Sequence, residues 1–415
     1  MNKKALLWFA CIAILASIFT FSKTDQPHLT ILGPVSMADG LGRQSVELID
    51  ALKDHVDVSF RSTGTFILDG IPPKIQKILK KRAPLGRVII YEDFLVVNGK
   101  PLDNNITSLR DDSSIRIAYS MFEASLIPPE WAHVLNHYFD AVLVPDKFLI
   151  EVYKNSGVTI PIFELPLGLN LDKFYEAPLK TKKNHPMVFA NLSAAFPRKN
   201  QLKLLKAFHE AFGNSPDVRL KLNSRNSDPT YSKAIKDELR LIGATNIDFT
   251  EMVLEEDLYF KIFQEIDCYV SLSLGEGFSI QPREAMALGI PIIITDNTGQ
   301  STICASGLGK IVPSLNQVPA FYPASKDYYG ISYDCNLKDV VMALRNMYEN
   351  YDHYLQKGNS ARKWAKQYSY DQLKPLYLTL VKPKKIVLGN INKLTPDCLF
   401  TDSVELCEKL NRLHF

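Results

Sequence analysis

The sequence predicts an α/β protein made of two doubly wound, Rossmann-like domains that face each other across a cleft. Three observations predict it. Short apolar runs alternate with stretches of helical periodicity along most of the chain, the mark of parallel sheets covered on both faces. The alternation breaks once, at Tyr175–Pro186, where EAPLKTKKNHP is polar, basic and holds two prolines. It then restarts as a second series. Bulk composition agrees: 415 residues correspond to two or three domains at roughly 150 residues each. With 46% apolar and 22% charged residues, disorder, collagen and coiled coil are excluded. A net charge of +3 names no partner, and no nucleic acid is expected.

Taken in order, the first domain spans 25–180. His28-Leu-Thr-Ile-Leu-Gly33 is an apolar strand ending in glycine. The loop Asp39-Gly40-Leu41-Gly42-Arg43-Gln44-Ser45 follows, and Val46–Leu52 has helical spacing. Further strands are expected at Val56–Phe60, Arg87–Tyr91, Ile115–Tyr119 and Ala141–Val144. The second domain spans 187–365. Its expected strands are Val188–Leu192, Arg219–Leu222, Ile247–Phe249, Cys268–Leu272 and Pro291–Thr295. Its helices are Gln201–Phe212, Ser232–Ile242 and Leu258–Glu265. A long helical stretch, Leu337–Val381, ends before Pro383, and residues 366–382 are expected to return to the first domain. Residues 383–415 form an appendage to which the pattern assigns no role.

Two termini and six cysteines complete the inventory. Residues 1–24 read as a signal anchor or signal peptide: Lys3 and Lys4 precede the uncharged stretch Ala5–Phe21, about 26 Å as a helix against a core of ~30 Å. This places the protein at a membrane, with its sidedness open. Six cysteines in 415 residues are too few for a disulfide scaffold, and no C-x-x-C or H-E-x-x-H occurs. Cys268, in an apolar run, reads as a small core residue. His133 and His137, four apart, lack a third ligand and read as ordinary helix residues.

The strongest constellation follows the strand Tyr269–Ser273: LGEGFSIQPREAMALGIP, residues 274–291. Gly275 and Gly277 allow close backbone approach and unusual dihedrals. The segment after Pro282 has helix composition, so the loop ends at a helix N-terminus suited to phosphate. Glu276 and Glu284 sit at opposite ends of this turn, each able to accept hydrogen bonds from vicinal hydroxyls. The residues alone describe a hydroxylated, phosphate-bearing ligand.

The stretch SLSLGEGFSIQPREAMALGIPIIITDNTG resembles the donor-site signature of retaining glycosyltransferases of family 4 (glycosyl transferases group 1), which have the GT-B fold. Its core is two glutamates with seven residues between them, matched by Glu276 and Glu284. The resemblance implies that Glu276 contacts the donor hexose and Glu284 the ribose hydroxyls. It also implies that Gly277 and the backbone of Phe278, Ser279 and Ile280 meet the diphosphate and sugar. Arg198 and Lys199, ahead of Asn200 and the next helix, match the family's basic pair, which neutralises the leaving diphosphate. Many members carry a further cation on the strand end, where this chain has Asn191, Leu192 and Ser193. Gly40 and Gly42 fit the Gly-rich loop that faces the diphosphate. Glu123, after Phe122 and ahead of Pro128 and Trp131, resembles the aromatic–Glu pair of a subset of the family and would orient the acceptor. Thr250–Leu254 would abut the nucleobase, and Asp296 and Gly299 would line the donor side.

The activity so implied is retaining hexosyl transfer from a nucleotide diphosphate sugar to a glycan or lipid-linked hydroxyl. No metal cofactor is expected, because fixed cations take its place and no Asp-x-Asp closes an apolar strand. Two other readings compete: a catalytically silent glycan- or nucleotide-sugar-binding subunit, and a nucleotide-sugar epimerase. Lys74–Arg87 holds six cations and no acid, with Ile75, Ile78 and Leu79 at helical spacing. That reads as a short basic amphipathic helix lying on a membrane near the acceptor. Asn105-Ile-Thr and Asn191-Leu-Ser are glycosylation sequons.

Overall fold

The computed structural model describes residues 28–37, 40–97, 100–101, 114–323 and 325–381. The anchor or signal segment at 1–24, the appendage at 383–415 and the Asn105 sequon lie outside them. Among the described residues no helix is long and apolar enough to cross a membrane.

The two-domain α/β architecture is present. The first domain contains strands β1 (His28–Val35), β2 (Asp57–Phe66), β3 (Val88–Tyr91), β4 (Ile115–Tyr119), β5 (Ala141–Val144) and β6 (Ile162–Glu164). Its helices are α1 (Gly40–Leu52), α2 (Pro73–Lys80), α3 (Pro129–Tyr138), α4 (Phe148–Asn155) and α5 (Asp172–Glu176). The strands form one parallel sheet in the order β2-β1-β3-β4-β5-β6. The central strands VIIY of β3 and AVLV of β5 are buried at every residue, because helices cover both faces.

The second domain repeats the scheme. Its strands are β7 (Met187–Asn191), β8 (Val218–Ser224), β9 (Ile247–Glu251), β10 (Cys268–Ser271), β11 (Ile292–Asp296) and β12 (Lys310–Pro313). Its helices are α6 (Gln201–Phe212), α7 (Pro229–Ile242), α8 (Glu256–Glu265), α9 (Ile280–Ala287) and α10 (Thr298–Cys304). The parallel order is β9-β8-β7-β10-β11-β12, so the winding direction reverses between β7 and β10. Local chemistry sets the ends: the Asp228 carboxylate accepts from Tyr231 N at 2.7 Å to start α7, and Gly243 at φ 58° stops it.

Several expectations are corrected. The Leu337–Val381 stretch is four helices: α11 (Leu337–Glu349), α12 (Tyr351–Gln356), α13 (Gly358–Ala365) and α14 (Tyr370–Thr379). An antiparallel hairpin, β13 (Asn316–Tyr322) with β14 (Asp327–Asp334), was not foreseen, because its prolines, tyrosines and charges mask the alternation. Gly40 and Gly42 belong to the first turns of α1 rather than a loop, and a Cβ on Gly42 would fall 2.4 Å from Ser36 N. The apolar face of α2 points inward: Ile75 and Leu79 are buried in the core, while Lys74, Lys77 and Lys80 face solvent.

Helix α14 packs on the first domain. The Tyr377 hydroxyl donates to Pro166 O at 2.8 Å, and Gly168 N donates to the same hydroxyl at 3.1 Å. Leu373, Tyr377, Leu380 and Val381 join β1, β2, Leu165–Leu171 and α9 in one apolar cluster that runs through both domains.

Candidate active site at the domain interface

The site grows from the reversal point of the second sheet. Beyond β7 the chain makes a 3-10 turn, Pro197–Lys199, and Asn200 at φ 60° redirects it into α6. Beyond β10 the loop Leu272–Ser279 ends at α9, with Ser279 at φ 69° supplying the turn. Leu274 N donates to Arg198 O at 2.8 Å, so the two loops are tied to each other.

Four residues singled out in the sequence meet here. Lys199 Nζ lies 2.5 Å from Glu276 Oε1, and Arg198 Nη1 lies 3.2 Å from Glu276 Oε2. Arg198 Nη2 reaches Glu123 Oε1 of the first domain at 2.9 Å. Ser273 Oγ donates to Glu276 Oε1 at 2.5 Å, and Glu276 N donates to Thr298 Oγ1 at 2.8 Å. Burial alone would raise the Glu276 pKa, but Lys199 and Arg198 hold it down at about 2. Burial lowers the pKa of Lys199, and Arg198 adds to this against the pull of Glu276. Arg198 is held charged against burial by Glu123 and Glu276.

Glycine works differently from the expectation. Neither Gly275 nor Gly277 has a positive φ; what they provide is close approach between the domains. A Cβ on Gly275 would fall 1.9 Å from Glu123 O, and one on Gly277 would meet Met121 at 3.0 Å. Gly299 packs within the second domain, where a Cβ would fall 2.8 Å from Glu276 O, whereas Asp296 is exposed and accepts from Ser301 Oγ.

Phe278 turns its ring inward, edge-on to Tyr368 at 5.4 Å, so only its backbone is offered to the site. Arg283 is fully buried over that ring, 3.8 Å from its centroid, and its Nη1 donates to the carbonyls of Phe278 and Ser279. With those carbonyls held back, Ser279 and Ile280 enter α9, whose first N–H groups have no partner within the helix.

Glu284 lies in a separate group. It is fully buried, with Oε1 accepting from Arg43 Nη2 at 2.8 Å and Oε2 from Tyr259 Oη at 2.6 Å. Arg43 comes from α1 of the first domain and also pairs with Glu47. This group borders a cleft of about 650 Å³ between the domains, whose lining includes Ser36, Asn223, Arg225, Leu254 and Tyr259. Leu254 falls in the stretch expected beside a base. The cleft stops short of the Glu276 cluster. Gly40 and Gly42 line neither group directly; Gly42 lets α1 approach the Ser36 backbone closely, whereas a side chain at Gly40 would meet open space.

The sequence reading missed Ser273, Thr298, Tyr259 and Arg225, and gave Arg43 no partner. Ser273 adjoins the signature loop and was within reach of inspection. The others sit next to the site only through folding. Asn191 is 3% exposed and donates to Val270 O at 2.8 Å, which buries that sequon. The rings of His133 and His137 lie 4.7 Å apart, and no group of three or more His, Cys, Asp or Glu among the described residues could hold a metal.

Two facing Rossmann-like domains with this interface define the GT-B fold. Residues 186–325 match the family described as Glycosyl transferases group 1. The chain is 29% identical over 130 residues to "Putative glycosyltransferase 63" of Sulfolobus islandicus filamentous virus. That alignment covers 31% of this chain and 44% of the viral protein, so the chain spans under half the length of that relative. Similar solved structures include HepE of Anabaena in complex with UDP and glucose, with a TM-score of 0.61 at 12% identity. Sucrose-phosphate synthase of Thermosynechococcus elongatus gives 0.63 at 15%. WaaG, a glycosyltransferase involved in lipopolysaccharide biosynthesis, gives 0.60 at 12%. Each comparison covers 86% of this chain and all of the other, and at these identities the likeness is one of fold.

Proposed function

We propose that this protein is a retaining glycosyltransferase of family 4. It moves a hexose from a nucleotide diphosphate sugar to a hydroxyl of a glycan or lipid-linked acceptor. The observation that carries the reading is the cluster Glu123–Arg198–Glu276–Lys199, where two cations from one domain meet carboxylates from both at the sheet's reversal point. The match of residues 186–325 to the glycosyl transferases group 1 family supports it. So does the HepE structure, a protein of the same fold crystallised with UDP and glucose.

In this reading the anomeric carbon–oxygen bond to the β-phosphate breaks, and the diphosphate leaves with the electron pair. The acceptor hydroxyl bonds to the anomeric carbon on the same face and passes its proton to the departing phosphate oxygen. Arg198, Lys199 and the N-terminus of α9 face the charge that grows on the diphosphate. Glu276 holds the hexose, and Glu123 orients the acceptor through the salt bridge that also places Arg198. Glu284 takes the ribose once Arg43 or Tyr259 releases one of its oxygens. The fixed cations carry the role that a metal ion plays in other transferases. Association with a membrane through residues 5–21 belongs to the same proposal.

Glu276→Ala and Lys199→Ala, assayed for transfer and for donor hydrolysis, test it: both should lose turnover by 10²-fold or more, on the order of one lost transition-state contact. Unchanged turnover in both would sink the assignment. One observation favours the second reading, a catalytically silent binding subunit: the end of β7 carries Asn191, Leu192 and Ser193 where a further cation would serve the leaving diphosphate. Titration calorimetry with a panel of nucleotide sugars, followed by a search for products, separates the two.

A further inference from the structure

We infer that Asp146 of the first domain is a positioning residue for the donor loop of the second, which takes its diphosphate-binding shape when the two domains meet as they do here. This deepens the transfer reading above and rests on it for the nature of the ligand. Asp146 follows β5 and Pro145, leads into α4 and is 2% exposed. Its Oδ1 accepts from Phe148 N at 3.3 Å, a local bond that serves the start of α4. Both oxygens also reach across to the second domain. Oδ1 accepts from Thr302 Oγ1 at 3.0 Å, and Oδ2 lies 3.6 Å from Arg283 Nη2.

The two partners stand behind the same loop. Thr302 lies on α10, one turn beyond Thr298, whose Oγ1 accepts from Glu276 N at 2.8 Å. Arg283 lies on α9, and its Nη1 holds the carbonyls of Phe278 and Ser279. Its Nε and Nη2 make no hydrogen bond. Among the described residues Asp146 is the carboxylate that pairs with this guanidinium. A guanidinium is a rigid planar fork, so a charge that faces Nη2 also fixes where Nη1 points. Burial pushes the Asp146 carboxyl up and the Arg283 guanidinium down, and each opposes that shift in the other. Lys147 and Glu164 flank Asp146 from the surface with one charge of each sign, which leaves its pairing with Arg283 in place. Parting the domains takes the counter-charge away. A buried cation without its partner is costly, so Arg283 then turns toward water and lets go of the carbonyls. The N–H groups at the start of α9 are therefore aimed at a diphosphate by closure, and a donor binds tightly to the closed form.

A double-mutant cycle in the full chain tests this. It is read by titration calorimetry with UDP and GDP, and by hydrogen exchange of residues 274–287 without ligand. Asp146→Asn keeps the acceptor for Thr302 and for Phe148 N but removes the charge that faces Arg283. It should weaken nucleotide binding about tenfold, mid-range for two residues in one buried network. It should also speed exchange in residues 274–287 while α4 exchanges as in the wild type, which a general loss of folding would not allow. Arg283→Met should do the same, and in that background Asp146→Asn should add nothing to either readout. Losses that add in the double variant, or wild-type behaviour of Asp146→Asn, would overturn the inference. If neither nucleotide binds the wild type, the transfer reading fails and the exchange cycle still decides this one. If Asp146→Asn does not fold, Thr302→Val replaces it. That variant keeps the shape and frees α10, so exchange at Glu276 N should quicken, and unchanged exchange there would overturn the inference.

Discussion

Two buried carboxyls, Glu276 and Glu92, respond to pH in opposite directions. Glu276 is held at about 2 by Lys199 and Arg198, below an ordinary glutamate near 4.5. The unfolded chain therefore takes up this proton first as pH falls. The stabilisation is full above pH 4.5 and is lost on the way down to pH 2, at a scale on the order of 3 kcal/mol. Glu92, fully buried behind Ser45 and Gln44, is raised to about 7 by burial. Here the folded state holds the proton longer, so stability falls as pH rises from 4.5 to 7. Urea unfolding across pH should show both effects. Glu276→Gln should be much less stable than the wild type at neutral pH and approach it near pH 2. Glu92→Gln should match the wild type in acid and exceed it at pH 8, again on the order of 3 kcal/mol. A wild-type stability that does not change between pH 5 and 8 would refute the Glu92 assignment.

At the scale of elements, the loop from β10 to α9 is shaped by what touches it. Gly275 has Glu123 O in the space a side chain would fill, so Gly275→Ala should leave each domain folded while forcing them apart at the site. Turnover should drop about 10²-fold, the penalty of a displacement near 1 Å, with the far-UV spectrum unchanged. Arg283 holds the same loop from behind, in a cage of Phe278, Tyr368 and Trp364. Arg283→Met keeps the bulk but frees the carbonyls of Phe278 and Ser279. Donor affinity should fall more than the melting temperature, which paired calorimetry and thermal unfolding would reveal. The hairpin of β13 and β14 contributes from the other side. Tyr322 packs against Phe122 at 5.3 Å and Trp131 at 6.0 Å, and Ile331 N donates to Ser125 Oγ at 2.8 Å. These contacts fix the segment that carries Glu123.

Across the whole molecule, the domains are joined by charge and by a returning chain. Arg43–Glu284 is a buried ion pair between domains, and removing one partner strands the other. Arg43→Ala should destabilise by about 3–5 kcal/mol unless the domains open to hydrate Glu284. Small-angle scattering should then show a larger radius of gyration, and an unchanged radius with unchanged stability would refute the bridging role. Helix α14 is the second tie. A chain ended before Ser369 loses Leu373, Tyr377, Leu380 and Val381 from the shared cluster. It should lose the cooperative melting of the intact protein, because that cluster is common to both domains.

The sequence by itself determined the two α/β domains and the strand–loop–helix unit that carries Glu276 and Glu284. Apolar periodicity and a strand–loop–helix signature are local properties, readable within a dozen residues. It also singled out Arg198, Lys199 and Glu123. Their meeting could not be read, since Glu123 and Arg198 lie 75 positions apart on different domains. Tertiary structure alone decided that Glu284 is shared by Arg43 and Tyr259, that the glycines serve the interface rather than a flexible loop, and that Ile75 and Leu79 face the core. The physical reason is the same in each case. Burial and pairing depend on which surfaces the sheets bring together, and an amphipathic pattern reports that a face is apolar without reporting what covers it.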